Sequence, residues 1–284
     1  MNDTMSRREA LAALGILALS CNSILAQAPA PASRKKIALQ LYTLREPAKK
    51  DLSGTLKKAR DMGWEYVQWS GMPNLEADKI REALDAAGLK AVAAHVSIEP
   101  FEKDFEKNVQ FWKTVGVSDL APGGMMNDCK DSLEGWLKGS RRLDELGARL
   151  LKTGLRLSYH NHSFEFEKFP GDPRFKLDIL LETAKPENLK AELDLAWILN
   201  AGVDPAAYIR KYKGRCPVVH VKDGIRADKG FQFKPLGQGQ VKWKEIFAAG
   251  EEAGVEWYIY EQDGGEGSPF DYTRTSLEFL KKNL

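Results

Sequence analysis

At 284 residues, with 43% hydrophobic and 29% charged side chains, the chain has a globular composition and the length for one large core or two modest ones. Its 42 Lys and Arg against 40 Asp and Glu leave a net charge of +2, without the basic excess expected of a nucleic-acid-binding protein. Three cysteines, none in a CxxC pair, cannot build a disulfide framework; collagen, coiled-coil and polytopic membrane architectures are also excluded.

The chain opens on Ser6-Arg7-Arg8-Glu9-Ala10-Leu11, continues through the apolar run Leu11 to Ser20, and reaches Ala26-Gln27-Ala28. A basic start, a short apolar middle and an A-x-A site are the parts of a secretory signal peptide. The apolar run is about half of what a bilayer crossing requires. The paired arginines resemble a twin-arginine export signal. The expected organisation is a signal over 1–28, a linker over 29–36 and one domain over 37–284. The mature protein is expected in the periplasm or secreted, with no membrane contact after cleavage. Cys21 follows Ala18-Leu19-Ser20, a poor lipobox, so a lipoprotein is the weaker alternative.

From Ile37 onward, short aliphatic and aromatic runs alternate with longer stretches of helical period. The predicted strands are Ile37–Tyr42, Tyr66–Trp69, Lys90–His95, Asp119–Ala121, Leu155–His160, Leu189–Asp194, Val218–Val221 and Glu256–Tyr260. Helical stretches include Leu52–Met62, Lys79–Ala87, Asp104–Val115, Leu133–Lys152 and Trp243–Ala253. Several end at a glycine just before the next strand, as in Met62-Gly63 and Ala253-Gly254, where a left-handed residue stops the helix. Repeated strand–helix alternation argues for a parallel sheet covered by helices, and eight units in about 250 residues is the size of a (β/α)8 TIM barrel. A doubly wound open sheet is the competitor, but no GxGxxG follows the first strand. The fold class is therefore α/β, a single (β/α)8 barrel.

Such a barrel carries its chemistry at the C-terminal ends of strands, on inward-pointing side chains, and strand alternation identifies them. On the fifth strand Leu155, Leu157 and Tyr159 share one face, while His160 and His162 share the other and close the run. Asp194 has the inward parity on the sixth strand, His220 and Lys222 share a face on the seventh, and the eighth runs into Glu261. His95 ends the third. Imidazoles and carboxylates converging at one rim are costly without a compensating cation, so a divalent metal site is the economical reading.

These residues resemble the xylose isomerase-like TIM-barrel superfamily of sugar phosphate isomerases and epimerases, which includes ketose 3-epimerases, inosose dehydratases and endonuclease IV. The resemblance spans essentially the whole mature chain. It is carried by Tyr159-His160-Asn161-His162-Ser163-Phe164-Glu165-Phe166, Glu192-Leu193-Asp194, His220-Val221-Lys222-Asp223 and Tyr260-Glu261-Gln262-Asp263, with Gly63-Trp64-Glu65-Tyr66-Val67-Gln68 and Gly237-Gln238-Gly239 as weaker pieces. In the ketose 3-epimerases the metal is held by Glu, Asp, His and Glu from strands five to eight. By resemblance Asp194, His220 and Glu261 take the last three places, and Arg226 matches an arginine that contacts substrate. His160 stands where a glutamate is expected, so either His160 or the nearby Glu165 supplies the fourth ligand.

The resemblance implies a divalent ion (Mn2+, Mg2+ or Zn2+) that polarises a carbonyl and its neighbouring hydroxyl, stabilising an enediolate. Glu261 is the expected base, Glu165 its partner, and Lys222 or Arg226 the group that neutralises the oxyanion. His95, His162, Arg226 and Trp197 are the expected substrate contacts. The expected activity is that of a metal-dependent sugar isomerase or epimerase. A lyase or dehydratase on keto-sugars or keto-glycosides shares the first step and is the alternative, and a non-catalytic carbohydrate-binding barrel is a further one. An endonuclease IV-like phosphodiesterase would need more than four histidines and a basic surface. The expected partner is a small sugar rather than a nucleic acid, export favours unphosphorylated sugars, and a homo-oligomer is compatible with the sequence.

Overall fold

The computed structural model describes residues 36–228 and 230–284. The expected signal, and all of the expected linker but Lys36, lie outside the described residues; Lys36 already belongs to the first strand. In chain order the elements are β1 (Lys36–Gln40), α1 (Arg45–Lys50), α2 (Leu52–Met62), β2 (Tyr66–Trp69), α3 (Ala77–Ala87), β3 (Lys90–His95), α4 (Glu99–Lys103), α5 (Phe105–Val115), β4 (Asp119–Ala121), α6 (Leu133–Leu151) and β5 (Arg156–His160). There follow α7 (Lys176–Thr183), β6 (Leu189–Asp194), α8 (Leu195–Asn200), α9 (Pro205–Lys211), β7 (Val218–Val221), β8 (Asp223–Ala227), β9 (Gly230–Lys234), α10 (Trp243–Ala253), β10 (Trp257–Tyr260) and α11 (Pro269–Asn283). Eight strands close into a barrel in the order β1-β10-β7-β6-β5-β4-β3-β2, and every barrel pair described is parallel. Sequence and structure agree on the (β/α)8 barrel.

Strand alternation sorts the side chains into two environments. Leu39, Val67, Leu157, Leu193, Val219 and Tyr258 point outward and are buried against Leu56, Ile80, Leu84, Leu143, Leu146, Ile209, Ile246, Leu277 and Leu280 of the helices. Full burial of each such side chain stabilises the fold by roughly 1.5–3 kcal/mol. The opposite face carries a small separate cluster, Ala38, Ala93, Val218 and Ile259, which plugs the barrel interior with short or branched groups. Above that plug the inward positions turn polar. Several helices, α2, α5 and α6 among them, begin at side-chain caps: Asp51 accepts from Gly54 N (2.9 Å), Asp104 from Lys107 N (3.2 Å) and Ser132 from Gly135 N (3.0 Å), each worth about 1 kcal/mol. Helices α2 and α10 stop as expected at glycine, with φ of 104° at Gly63 and 80° at Gly254.

The antiparallel hairpin β8–β9 is an element the sequence reading lacks, so the eighth barrel strand is β10. One carboxylate roots this hairpin. Asp223 is buried and accepts from Gly224 N (2.8 Å), Gly237 N (2.9 Å), Gly239 N (3.1 Å), Val241 N (3.2 Å) and Trp243 Nε1 (2.9 Å). The Gly237-Gln238-Gly239 motif is thereby explained as packing, because a Cβ at Gly239 would fall on the Asp223 carboxylate. Removing an acceptor shared by donors of which Gly224, Val241 and Trp243 are buried leaves those unsatisfied, at a cost on the order of 3 kcal/mol. Asp223→Ala is therefore expected to lower the melting temperature by roughly 6–12 °C, a shift readable by thermal denaturation. A shift below about 2 °C would remove Asp223 from this anchoring role.

Candidate functional site

The inward residues at the strand ends meet in a single polar layer. Glu192, on β6 and fully buried, is its hub. Its Oε1 lies 2.6 Å from His95 Nε2 on β3, 3.1 Å from His160 Nδ1 on β5 and 2.9 Å from His220 Nε2 on β7. Its Oε2 accepts from Gln68 Nε2 on β2 at 2.8 Å, and Gln68 Oε1 accepts in turn from Gln40 Nε2 on β1 at 3.0 Å. Burial alone would raise the Glu192 pKa, but the surrounding imidazoles of His220, His95 and His160 reverse the effect and hold it well below the carboxylate range.

Just above this layer lies a second group of charges. Lys222, past the end of β7 and 1% exposed, places Nζ 2.9 Å from Asp194 Oδ2, 2.8 Å from Glu261 Oε2 and 2.9 Å from Asp263 Oδ2. Burial would lower the lysine pKa; Asp194, Glu261 and Asp263 outweigh it and keep the ammonium charged. Glu261 is likewise driven below its ordinary range, burial being overcome by Lys222 and then His220. Asp263 moves the other way, raised to about 6 by burial and by the neighbouring Glu261. His220 connects the two groups, its Nδ1 lying 3.0 Å from Glu261 Oε2. Burial would push that imidazole down, yet Glu192 and Glu261 on its two sides hold it up at about 10. His160, equally buried and facing His220, sits well below its ordinary value.

Two sets of four donor atoms among the described residues lie within 4.8 Å of one another: His95, His160, Glu192 and His220, and then His160, Asp194, His220 and Glu261. The first set is already satisfied, its imidazole nitrogens at hydrogen-bonding distance from one Glu192 oxygen. The second is not. Asp194 Oδ1 caps α8 by accepting from Trp197 N (3.1 Å), but buried Oδ2 has no hydrogen-bond partner. Its 2.9 Å approach to Lys222 Nζ is a charge contact outside hydrogen-bonding alignment. An unsatisfied carboxylate oxygen beside two imidazoles and a second carboxylate is a donor set suited to a divalent ion. The Lys222 ammonium also marks two of these oxygens as cation-seeking.

A cavity of about 490 Å3 opens onto this cluster. His95, His160, His162, Trp197, Lys222 and Glu261, all singled out from the sequence, line it together with Tyr42, Phe233 and Asp263. His162 Nδ1 and Trp197 Nε1 are buried there without a hydrogen-bond partner among the described residues. Trp197 packs 5.4 Å from Phe233 of the unexpected hairpin, so β9 forms part of the cavity wall.

Two expected site residues are not brought to the cluster. Glu165 is buried with its carboxylate accepting from Tyr159 Oη (2.9 Å) and His162 N (2.7 Å). Because Tyr159 faces outward from β5, Glu165 lies on the helix side of the strand rather than in the barrel mouth. It is neither a ligand beside Asp194 nor a partner for Glu261. Arg226, on β8, lines a different cavity of about 260 Å3 beside Gly202 and Asp204. Lys222 holds the place at the carboxylates where Arg226 was an alternative. Glu192 and Asp263 stand in the motifs that carry the resemblance but are given no role from the sequence. Glu192 shares the inward parity of Asp194, and Asp263 that of Glu261, so periodicity carried a signal for both.

A parallel (β/α)8 barrel with a mixed imidazole–carboxylate cluster at the C-terminal mouth belongs to the enzyme class that works from this rim. The chain is a member of the xylose isomerase-like TIM barrel family, whose profile matches residues 56–283. An inosose dehydratase from Lacticaseibacillus casei is 24% identical over 167 residues, covering 52% of this chain and 55% of the relative. The chain thus spans about half the length of the curated relatives it matches first. A solved sugar phosphate isomerase/epimerase from Parabacteroides distasonis ATCC 8503 superposes with a TM-score of 0.73 at 20% identity, covering 90% of this chain and 97% of that one. An L-ribulose 3-epimerase structure gives 0.68 at 15% identity, covering 88% and 95%.

The position of Glu165 makes stability depend on pH. Burial lifts its pKa from 4.5 to about 7, against the lowering effect of its two donors. Below about 4.5 the group is neutral in both folded and unfolded chains. Between there and about 7 only the folded form keeps the proton, so stability falls as pH rises through that window, by on the order of 3 kcal/mol. Glu165→Gln removes this dependence. Its melting temperature relative to the parent should improve by several degrees between pH 5 and pH 8, and a pH-independent difference would contradict the assignment.

Proposed function

We propose that the protein removes the proton beside the carbonyl of a sugar or keto-sugar and stabilises the enediolate, acting as an isomerase or epimerase. The observation that carries this reading is Glu261 paired with Lys222 at 2.8 Å in the wall of the 490 Å3 cavity that His162 also lines. A carboxylate, a buried ammonium and an uncommitted imidazole are the parts needed to take a proton from carbon, hold negative charge on oxygen and return the proton elsewhere.

Lys222 starts bound to three carboxylates. A substrate oxygen entering the cavity competes for one of its N–H donors. Movement of the ammonium toward that oxygen loosens its ion pair with Glu261 and frees a carboxylate lone pair for the C–H bond, while its hydrogen bond to Asp263 keeps the ammonium in place. Unpartnered His162 Nδ1 and Trp197 Nε1 are available to hydroxyl groups, and the Trp197 and Phe233 rings offer apolar faces to a sugar ring. His160, Asp194, His220 and Glu261 would hold a divalent ion (Mn2+, Mg2+ or Zn2+), which would supply positive charge to adjacent substrate oxygens.

A second reading, β-elimination from the same enediolate, is favoured by the retreat of Glu165. With that carboxylate behind Tyr159, the acid opposite Glu261 is an imidazole rather than a second glutamate, an asymmetry that suits loss of a leaving group. The similarity to an inosose dehydratase supports it. The twin-arginine-like start is the basis for proposing that the protein acts outside the cytoplasm on unphosphorylated sugars, and homo-oligomerisation is compatible with this reading.

The test is exchange in D2O over ketoses and 3-keto-glycosides with each of the three ions, followed by NMR. The wild-type protein should place deuterium on a carbon next to the carbonyl. Glu261→Gln should slow exchange by at least ~100-fold, and Lys222→Met by ~100- to 1,000-fold. Recovery of a deuterated isomer or epimer selects the first reading, and an unsaturated product the second. Absence of exchange across the whole panel would leave a carbohydrate-binding barrel in its place.

A further inference from the structure

We propose that Glu192 is the positioning residue for both histidines of the cation site. It accepts a hydrogen bond from His160 Nδ1 and pairs at 2.9 Å with His220 Nε2, whose hydrogen bond goes to Gln68 Oε1, and so turns the other nitrogen of each ring toward Asp194 and Glu261. The inference rests on the reading that His160 and His220 hold a cation, but its first readout does not require one.

The two rings use opposite nitrogens. His160 presents Nδ1 to Glu192 Oε1 at 3.1 Å and leaves Nε2 3.9 Å from Asp194 Oδ2. His220 presents Nε2 to Glu192 Oε1 at 2.9 Å and to Gln68 Oε1 at 2.7 Å, leaving Nδ1 toward Glu261. Nothing local to β5 or β7 requires a δ contact in one ring and an ε contact in the other; their shared partner Glu192, with Gln68 held against it, does. His160 and Glu192 are direct register partners on neighbouring strands, and His220 pairs with Asp194 on the other side of β6. A single strand therefore carries both the acceptor behind the rings and the carboxylate in front of them.

Glu192 has no freedom to turn away. Gln68 Nε2 holds its second oxygen, Gln40 holds Gln68, and the carboxylate is fully buried, with no bulk water to replace a lost bond. A carboxylate behind an imidazole ligand fixes the tautomer and raises the basicity of the exposed nitrogen, and its loss typically costs 10- to 100-fold in metal affinity. Glutamine cannot substitute fully, because its amide offers one acceptor oxygen and one donor nitrogen where two rings and Gln68 require acceptors.

The test begins with 15N-histidine NMR of the wild-type, chelator-treated protein. His160 should be neutral with Nδ1 protonated and Nε2 bare, and His220 should carry a proton on Nε2. A His160 protonated on Nε2 alone would overturn the proposal, and this measurement needs no variant. Glu192→Gln should then mix or invert the His160 tautomer. It should also weaken Zn2+ or Mn2+ binding, read by competition with a chromophoric chelator, by 10- to 100-fold. Unchanged tautomers and affinity in a folded variant would also overturn it. If the wild-type protein binds neither ion, the cation reading fails while the nitrogen assignments still decide the role of Glu192. If the variant does not fold, the wild-type spectrum decides alone.

Discussion

Attraction between buried carboxylates and the cationic or proton-donating groups set among them governs the mouth of this barrel. Removing a single carboxylate from water costs several kcal/mol unless the protein supplies compensating partners. Here Glu192, Asp194 and Glu261 are all buried and Asp263 lies beside them. Glu192 is compensated by three imidazoles and a glutamine; Asp194, Glu261 and Asp263 share one ammonium. The lower set of contacts is complete, whereas the upper set leaves Asp194 Oδ2 without a hydrogen bond. On the proposed function, that difference makes the upper set the place where an ion or substrate would enter the network.

Barrel closure makes this concentration of charge achievable. Gln68 and His220 are 152 residues apart in sequence, yet they meet because every strand points the same way and ends at the same rim. The apolar plug of Ala38, Ala93, Val218 and Ile259 fills the interior below, so the polar side chains pack on a dry floor. The β8–β9 hairpin, rooted by Asp223, carries Phe233 to the wall of the cavity next to Trp197. Lys222 and Asp223 are adjacent in sequence but serve opposite ends of this arrangement, one in the polar cluster and the other clamping the loop that supports the wall.

Much of this was legible in the sequence for identifiable reasons. The strands β2, β3, β4, β6 and β7 have the predicted limits because each is a short run that follows a helix or turn and ends at the polar or proline-marked rim of the barrel. His160, Asp194, His220 and Glu261 could be grouped because strand parity and strand ends are local properties. Glu192 could not be assigned its part, since its importance arises only when three rings from three strands converge on it. Asp263 shares the parity of Glu261 but lies beyond β10, and its part emerges only where it meets the Lys222 ammonium at 2.9 Å. Glu165 misled because a 3-10 turn at Phe164–Phe166 returns its carboxylate to Tyr159, a reversal that spacing from His160 does not reveal. The hairpin was missed because Asp223-Gly224-Ile225-Arg226-Ala227 is too polar to read as a strand and is held by an anchor outside itself.

The most direct measurement of the central claim is anomalous diffraction from crystals equilibrated with Mn2+ and, separately, Zn2+. The account predicts a peak at roughly 2.0–2.3 Å from Asp194 Oδ2, within bonding distance of His160 Nε2, His220 Nδ1 and a Glu261 oxygen, with the Lys222 ammonium moved toward Asp263. Saturating ion with no peak there, and Lys222 still bridging Asp194 and Glu261, would contradict it.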